Sequence, residues 1–141
     1  MRKMTIIGIA ALSLLISCRG EDSFKRRVES LLNDFGVSSK EYNYVAVINL
    51  DACSNCHGIV DDFLFRNQDS EELVVVLTSH SKKKIDQRYP DFDKLKVIKD
   101  VEGLSIYQYD ILGLKPVIIH LSDDFRYEEY KLFEFSQKVF P

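Results

Sequence analysis

The chain is poor in the residues that most often give a function away. Its 141 residues include no tryptophan, three cysteines, three histidines and two methionines. Both methionines lie within the first four residues, so none is left in the body of the chain. Three cysteines are too few for a disulfide framework, so the fold must rest on a packed core. Long apolar runs are scarce as well. The longest, Thr5 to Ile16, falls short of the roughly 20 residues that a transmembrane helix needs. Cations are outnumbered, 19 Lys+Arg against 22 Asp+Glu. Lys82-Lys83-Lys84 reads as a solvated helix start, and the acidic balance argues against a nucleic-acid partner. There is no internal repeat and no low-complexity segment.

What is present begins at the N-terminus. Arg2 and Lys3 precede the Thr5–Ile16 run, which ends in Leu15-Ile16-Ser17-Cys18. Positive start, apolar stretch, small residue and cysteine stand in the order of a secretory signal. The last four residues resemble the lipobox of bacterial lipoproteins. That resemblance implies residues 1–17 as a signal peptide cleaved after Ser17, acylation of Cys18, and a lipidated tether over 18–23. More than one acyl chain gives stable anchoring where one is marginal. The implied partner is a membrane of the bacterial envelope. Arg19 rather than Asp after Cys18 favours the outer membrane over the inner, by resemblance to lipoprotein sorting. Without residues 1–17 the remainder is a single domain of ordinary size.

Periodicity lays out that domain. Phe24, Val28, Leu31, Leu32 and Phe35 make a helical stripe that ends at Gly36. Tyr44–Leu50 and Leu73–Leu77 are short, continuous and β-branched, as buried strands are. Ile59, Val60, Phe63 and Leu64 form one face of a helix ending near Arg66. Ser81–Tyr89 predicts a helix stopping before Pro90, and Leu95–Ile98 a short strand. Leu104–Tyr109 alternates and predicts a further strand near an edge. Pro116–Leu121 is a strong strand, Ser122-Asp123-Asp124 a turn, and Phe125-Arg126-Tyr127 a returning strand. Glu128–Val139 predicts a closing helix with Tyr130, Leu132, Phe133 and Val139 as apolar contacts. Tyr107, Tyr109, Phe133 and Phe135 read as core or edge packing. The order predicts an α/β fold, a mixed sheet of four to five strands with helices on both faces.

With Cys18 assigned to lipid, Cys53 and Cys56 are the pair left. They follow a buried strand and open a helix. Free N–H groups and the positive dipole end at such a terminus favour an anion. A thiolate there is both nucleophile and leaving group. Cys53 is the candidate attacking thiolate and Cys56, one turn on, the candidate resolving thiol.

Strand, Cys-x-x-Cys at a helix start, a βαβ order and the stretch Tyr109-Asp110-Ile111-Leu112-Gly113-Leu114-Lys115-Pro116-Val117 resemble the thioredoxin fold over about residues 43–140. The domain is thereby read as residues 24–141. The resemblance implies thiol–disulfide exchange without a cofactor, with a protein thiol or disulfide client and a redox partner. It carries Pro116 over as a cis-proline beside the cysteines, and Lys115 as the residue presenting backbone groups to substrate. The chain departs from the family at Ala52, where thioredoxins carry Trp, at Ser54-Asn55 between the cysteines, and at Val47 in place of a buried acid. It has one extra residue between Gly113 and Pro116, and an insertion is expected around Lys99–Tyr109.

Cys53-Ser54-Asn55-Cys56-His57 also matches the c-type haem attachment motif. In the absence of methionine a second axial ligand would fall to His80 or His120, or be absent. A copper or zinc site would draw on Cys53, Cys56 and His57 or His120. The alternative to an enzyme is therefore a haem- or metal-binding lipoprotein. His57 otherwise reads as a solvent-facing residue of the first helical turn, His80 as a loop residue and His120 as a sheet residue. Asp51, two before Cys53, either turns the chain or handles a proton.

Overall fold

Two alternating sets of apolar side chains decide the architecture. In a strand, successive residues point to opposite faces. Ala46, Ile48, Leu73, Val75, Leu77 and Ile118 join one buried cluster, while Val45, Val47, Val74, Val76, Val117 and Ile119 join another. A sheet apolar on both faces must be covered on both.

A computed structural model describes residues 23–52, 57–89, 91–122 and 125–141. The proposed signal peptide, Cys18, the cysteine pair, Pro90 and the Asp123-Asp124 turn lie outside the described residues. Helix α1 covers residues 23–34. It is followed by β1 (Tyr44–Asn49), α2 (His57–Arg66), β2 (Leu73–Thr78), α3 (Lys82–Arg88), β3 (Lys96–Asp100), α4 (Leu104–Tyr107), β4 (Val117–His120), β5 (Arg126–Glu129) and α5 (Leu132–Ser136).

The five strands form one open mixed sheet in the order β3-β2-β1-β4-β5. β1, β2 and β3 run parallel, and β4 and β5 complete the sheet antiparallel. Both parallel crossovers step the same way along the sheet, so right-handed connections put α2 and α3 on one face. Val60, Phe63 and Leu64 of α2, Ile85 of α3 and Phe135 of α5 share the same cluster. Phe63 and Phe135 stack with centroids 4.1 Å apart. Val28, Leu31 and Leu32 of α1 cover the opposite face, joined by Ile111 and Leu112. Full burial of side chains like these contributes about 1.5–3 kcal/mol each. Among the described residues no helix is long and apolar enough to cross a membrane.

Three sequence expectations about elements and packing need correction. Leu104–Tyr107 is a helical turn, not an edge strand. The buried Asp100 carboxylate accepts the backbone N–H groups of Leu104 at 2.8 Å and Ser105 at 2.9 Å and so caps that turn. The closing helix is only Leu132–Ser136, because β5 extends to Glu129, which pairs with Val117. Tyr107, Phe133 and Val139 are exposed, at 69%, 73% and 64%, rather than packed.

Candidate functional site at the carboxyl end of the parallel strands

The end of β1 is fixed by a polar clasp. Asp51 follows the strand, and its Oδ1 accepts the Ser79 hydroxyl at 2.9 Å while Oδ2 accepts the His80 backbone N–H at 2.8 Å. Lys84 Nζ stands 3.6 Å from Oδ1. The Asp51 N–H in turn donates to the Asn49 side chain at 3.0 Å. Burial pushes the Asp51 carboxyl upward, but the His80 and Ser79 donors and the Lys84 charge outweigh it, and the group is held below its ordinary range. Asp51 is therefore a fixed anion at neutral pH. Its two oxygens are committed to tying β1 to the β2–α3 loop, which favours the turn-forming role over proton handling.

On the other side of the Cys53–Cys56 segment, His57 begins α2. It is half-buried rather than solvent-facing, with Nδ1 3.2 Å from the Tyr89 hydroxyl. Tyr89 is 2% exposed. Burial, reinforced by the Asp61 charge, pushes its phenol up to about 12. Burial also lowers the His57 imidazole, and Lys84 and Arg88 push it the same way against Asp61 and Asp51. His57 is consequently a neutral imidazole at pH 7, its ring oriented by a buried phenol. Arg88 and Asp61, joined at 2.6 Å, brace that phenol from the α3 and α2 sides.

The sheet register sorts the other expected residues. Val47 pairs with Val117, so β4 begins beside the end of β1. Pro116 and Lys115, which lead into β4, therefore come to the same end of the sheet as Asp51. Pro116 is buried and its carbonyl accepts the Tyr130 N–H at 3.0 Å. Lys115 is exposed and its ammonium lies 3.7 Å from Glu129. No peptide bond among the described residues is cis, so Lys115–Pro116 is trans and the cis-proline expectation is not met. The chain enters β4 through the exposed stretch Gly113-Leu114-Lys115, one residue longer than expected. Without a tight turn the trans form is the default for an X–Pro bond.

The histidines separate. His80 is exposed at the site's end of the sheet, with Nε2 2.9 Å from the Tyr107 hydroxyl. His120 pairs with Tyr44 at the start of β1 and packs edge-on against it at 5.1 Å. The length of β1, about 17 Å at strand rise, divides it from Asn49. His120 is thus removed from any ligand set that includes the segment after β1. Among the described residues no group of three or more His, Cys, Asp or Glu is placed to hold a metal ion.

Buried Asp100 completes this end of the sheet. Its Oδ2 accepts the Thr78 and Ser105 hydroxyls at 3.1 and 2.7 Å. With every oxygen engaged it organises α4 and so places Tyr107 against His80. Sequence reasoning misses Ser79 and Lys84 as partners of Asp51, and Tyr89 as the partner of His57. The available signal is the spacing of Ile85 and Tyr89, one turn apart on a short helix. Comparison with family models, curated proteins and solved structures finds no match to this chain.

Proposed function

We propose that the chain is a lipid-anchored, thioredoxin-like protein of the bacterial envelope that carries out thiol–disulfide exchange through Cys53 and Cys56. The observation that carries this reading is a juxtaposition in the sheet. The strand that leads to the cysteines is parallel to β2, and antiparallel β4, which Pro116 precedes, begins beside its end. In open α/β sheets the carboxyl ends of parallel strands are where ligands meet the chain. A Cys-x-x-Cys segment entering a ten-residue helix there has the positive helix terminus to favour a thiolate.

The Cys53 thiolate attacks one sulfur of a client disulfide, and the other client sulfur leaves as thiolate. Cys56, once deprotonated, attacks the Cys53 sulfur of the mixed disulfide. The client is released with both sulfurs reduced, and a Cys53–Cys56 disulfide remains for a redox partner to reduce. Run backwards, the same steps oxidise a dithiol client. Neutral His57 stands next in sequence to Cys56 as a base for the resolving step, and Asp51, already ionised and clasped, does not take part in proton transfer.

The haem reading gains nothing from this arrangement. His57 is tethered to buried Tyr89, His80 is bonded to Tyr107, and His120 lies at the far end of β1. The direct test is trapping. A Cys56→Ala variant accumulates a mixed disulfide with a client or with glutathione through Cys53, and Cys53→Ala does not. Equal trapping by both variants would remove Cys53 from the nucleophile's role.

A further inference from the structure

The outward stripe of α1 carries chemistry that disulfide exchange does not use. Val28, Leu31 and Leu32 bury against the sheet, while Ser23, Arg26 and Ser30 are exposed and Arg27 half-exposed. Ser23, Arg26, Arg27 and Ser30 stand at i, i+3, i+4 and i+7, so one helix face presents two guanidinium groups and two hydroxyls. With Tyr109 from the segment after α4 they line an open pocket of about 270 Å³.

Among the described residues, Asp34 and Asp110 reach this lining. The Tyr109 hydroxyl donates to Asp34 at 2.5 Å, and Asp110 meets Arg27 Nη1 at 3.4 Å. That second pair is long and Asp110 is 92% exposed, so solvent screens it. Arg27 Nε is buried without an acceptor, which leaves this guanidinium's bonding incomplete. The Arg27 guanidinium also lies 5.2 Å from the Phe24 ring centroid. Two guanidinium groups flanked by a hydroxyl on either side match a tetrahedral oxyanion, with several acceptor oxygens, better than a lone carboxylate.

Position suggests where the phosphate comes from. Ser23 is five residues beyond Cys18, a reach of at most about 18 Å. Lys25-Arg26-Arg27 is therefore the first cationic cluster beyond the proposed anchor. We propose that this pocket binds the phosphate headgroup of an anionic membrane lipid and turns α1 toward the bilayer. The lipid as source of the phosphate rests on the anchored reading; the phosphate site does not.

Every described element lies within residues 23–141, so the chain from residue 18 with Cys18→Ser keeps the whole fold without the acyl chains. This protein is mixed with vesicles of phosphatidylglycerol and phosphatidylcholine, with vesicles of phosphatidylcholine alone, and separately with inorganic phosphate. The expected result is sedimentation with phosphatidylglycerol vesicles only. Loss is roughly fivefold for each of Arg26→Gln and Arg27→Gln, the effect of one basic side chain at an anionic surface. Ser30→Glu, which puts a negative charge in the pocket and spares both arginines, weakens binding as well. Lys82→Gln with Lys83→Gln, which removes two charges elsewhere where each arginine variant removes one, leaves it unchanged. Equal weakening by the lysine pair, or no vesicle binding, overturns the proposal, and binding of inorganic phosphate without vesicles overturns the lipid as its source. Acylation of Cys18, read by intact mass of the membrane-extracted protein, reports on the anchor independently.

Discussion

The backbone N–H of His80 donates to the Asp51 carboxylate at 2.8 Å, and through that bond the β2–α3 loop holds the chain just after β1, two residues before Cys53. Asparagine at position 51 keeps the shape and loses the charge. Asp51→Asn is expected to cost on the order of 1 kcal/mol in urea denaturation. The folded-state carboxyl lies below its ordinary 3.8. Its contribution is therefore fully present above that value and is lost as pH falls through the lower folded value. The wild type should lose more stability than Asp51→Asn on acidification below about pH 4. Parallel acid limbs for the two proteins would show that the carboxylate is not so held.

His57 is expected to titrate below 6.5 in a histidine-resolved NMR experiment, chiefly because it is part-buried and next because Lys84 and Arg88 oppose its charge. Lys84→Gln should move it upward. Because the folded value is depressed, neutral His57 supports the fold above about pH 6.5, and that support fades as pH falls through the folded value. An unchanged His57 titration in Lys84→Gln would place the lysine too far from the ring to matter.

Gly103 holds φ at +71°, and a Cβ there would meet Tyr107 Cδ2 at 2.8 Å. Gly103→Ala therefore combines a strained left-handed residue with a displaced ring, a loss of about 1–3 kcal/mol. The Tyr107–His80 bond should go with it. Thermal denaturation measures the first effect, and the shift of the His80 ring signals measures the second.

Phe63 and Phe135 are both fully buried and stacked, joining α2 to α5. Truncating either to alanine should cost about 3–5 kcal/mol. The double variant should lose less than the sum, because the two share one contact. Additive losses in a denaturation cycle would mean that the stack contributes nothing of its own.

Much of this was legible in the sequence, for physical reasons that can be named. Val45, Val47, Val74 and Val76 lie on strands buried on both faces, and such strands write themselves as unbroken β-branched runs. Val28, Leu31 and Leu32 give α1 away because a single stripe faces the sheet. The misreadings fall where a distant or backbone group decides. Leu104–Tyr107 alternates like a strand, but Asp100 caps it as a helical turn and Gly103 supplies the left-handed entry. Glu128 and Glu129 look like the start of a helix, yet pairing with Ile118 and Val117 holds them in β5. Within the site, Asp51 and His57 flank the Cys53–Cys56 segment in the chain itself, and the register of β4 on β1 brings Pro116 to the same end of the sheet as Asp51. Tyr89, Ser79 and Lys84 arrive there through the β2–α3 crossover, which no local pattern reveals. The arginine pocket escaped for another reason. Sequence reasoning takes Lys82-Lys83-Lys84 as the basic cluster of the chain and passes over Lys25-Arg26-Arg27, which Tyr109 joins only through the fold.

The central claim is that Cys53 and Cys56 form a reversible redox couple. It is tested most directly by equilibrating the chain from residue 18, with Cys18→Ser, in glutathione buffers of graded potential and counting free thiols by mass after alkylation. The account predicts a single two-electron transition between two free thiols and none, with a midpoint between about −120 and −270 mV, the span of thiol–disulfide exchange proteins. Two thiols that stay free throughout that range, or that pair only between molecules, would contradict it.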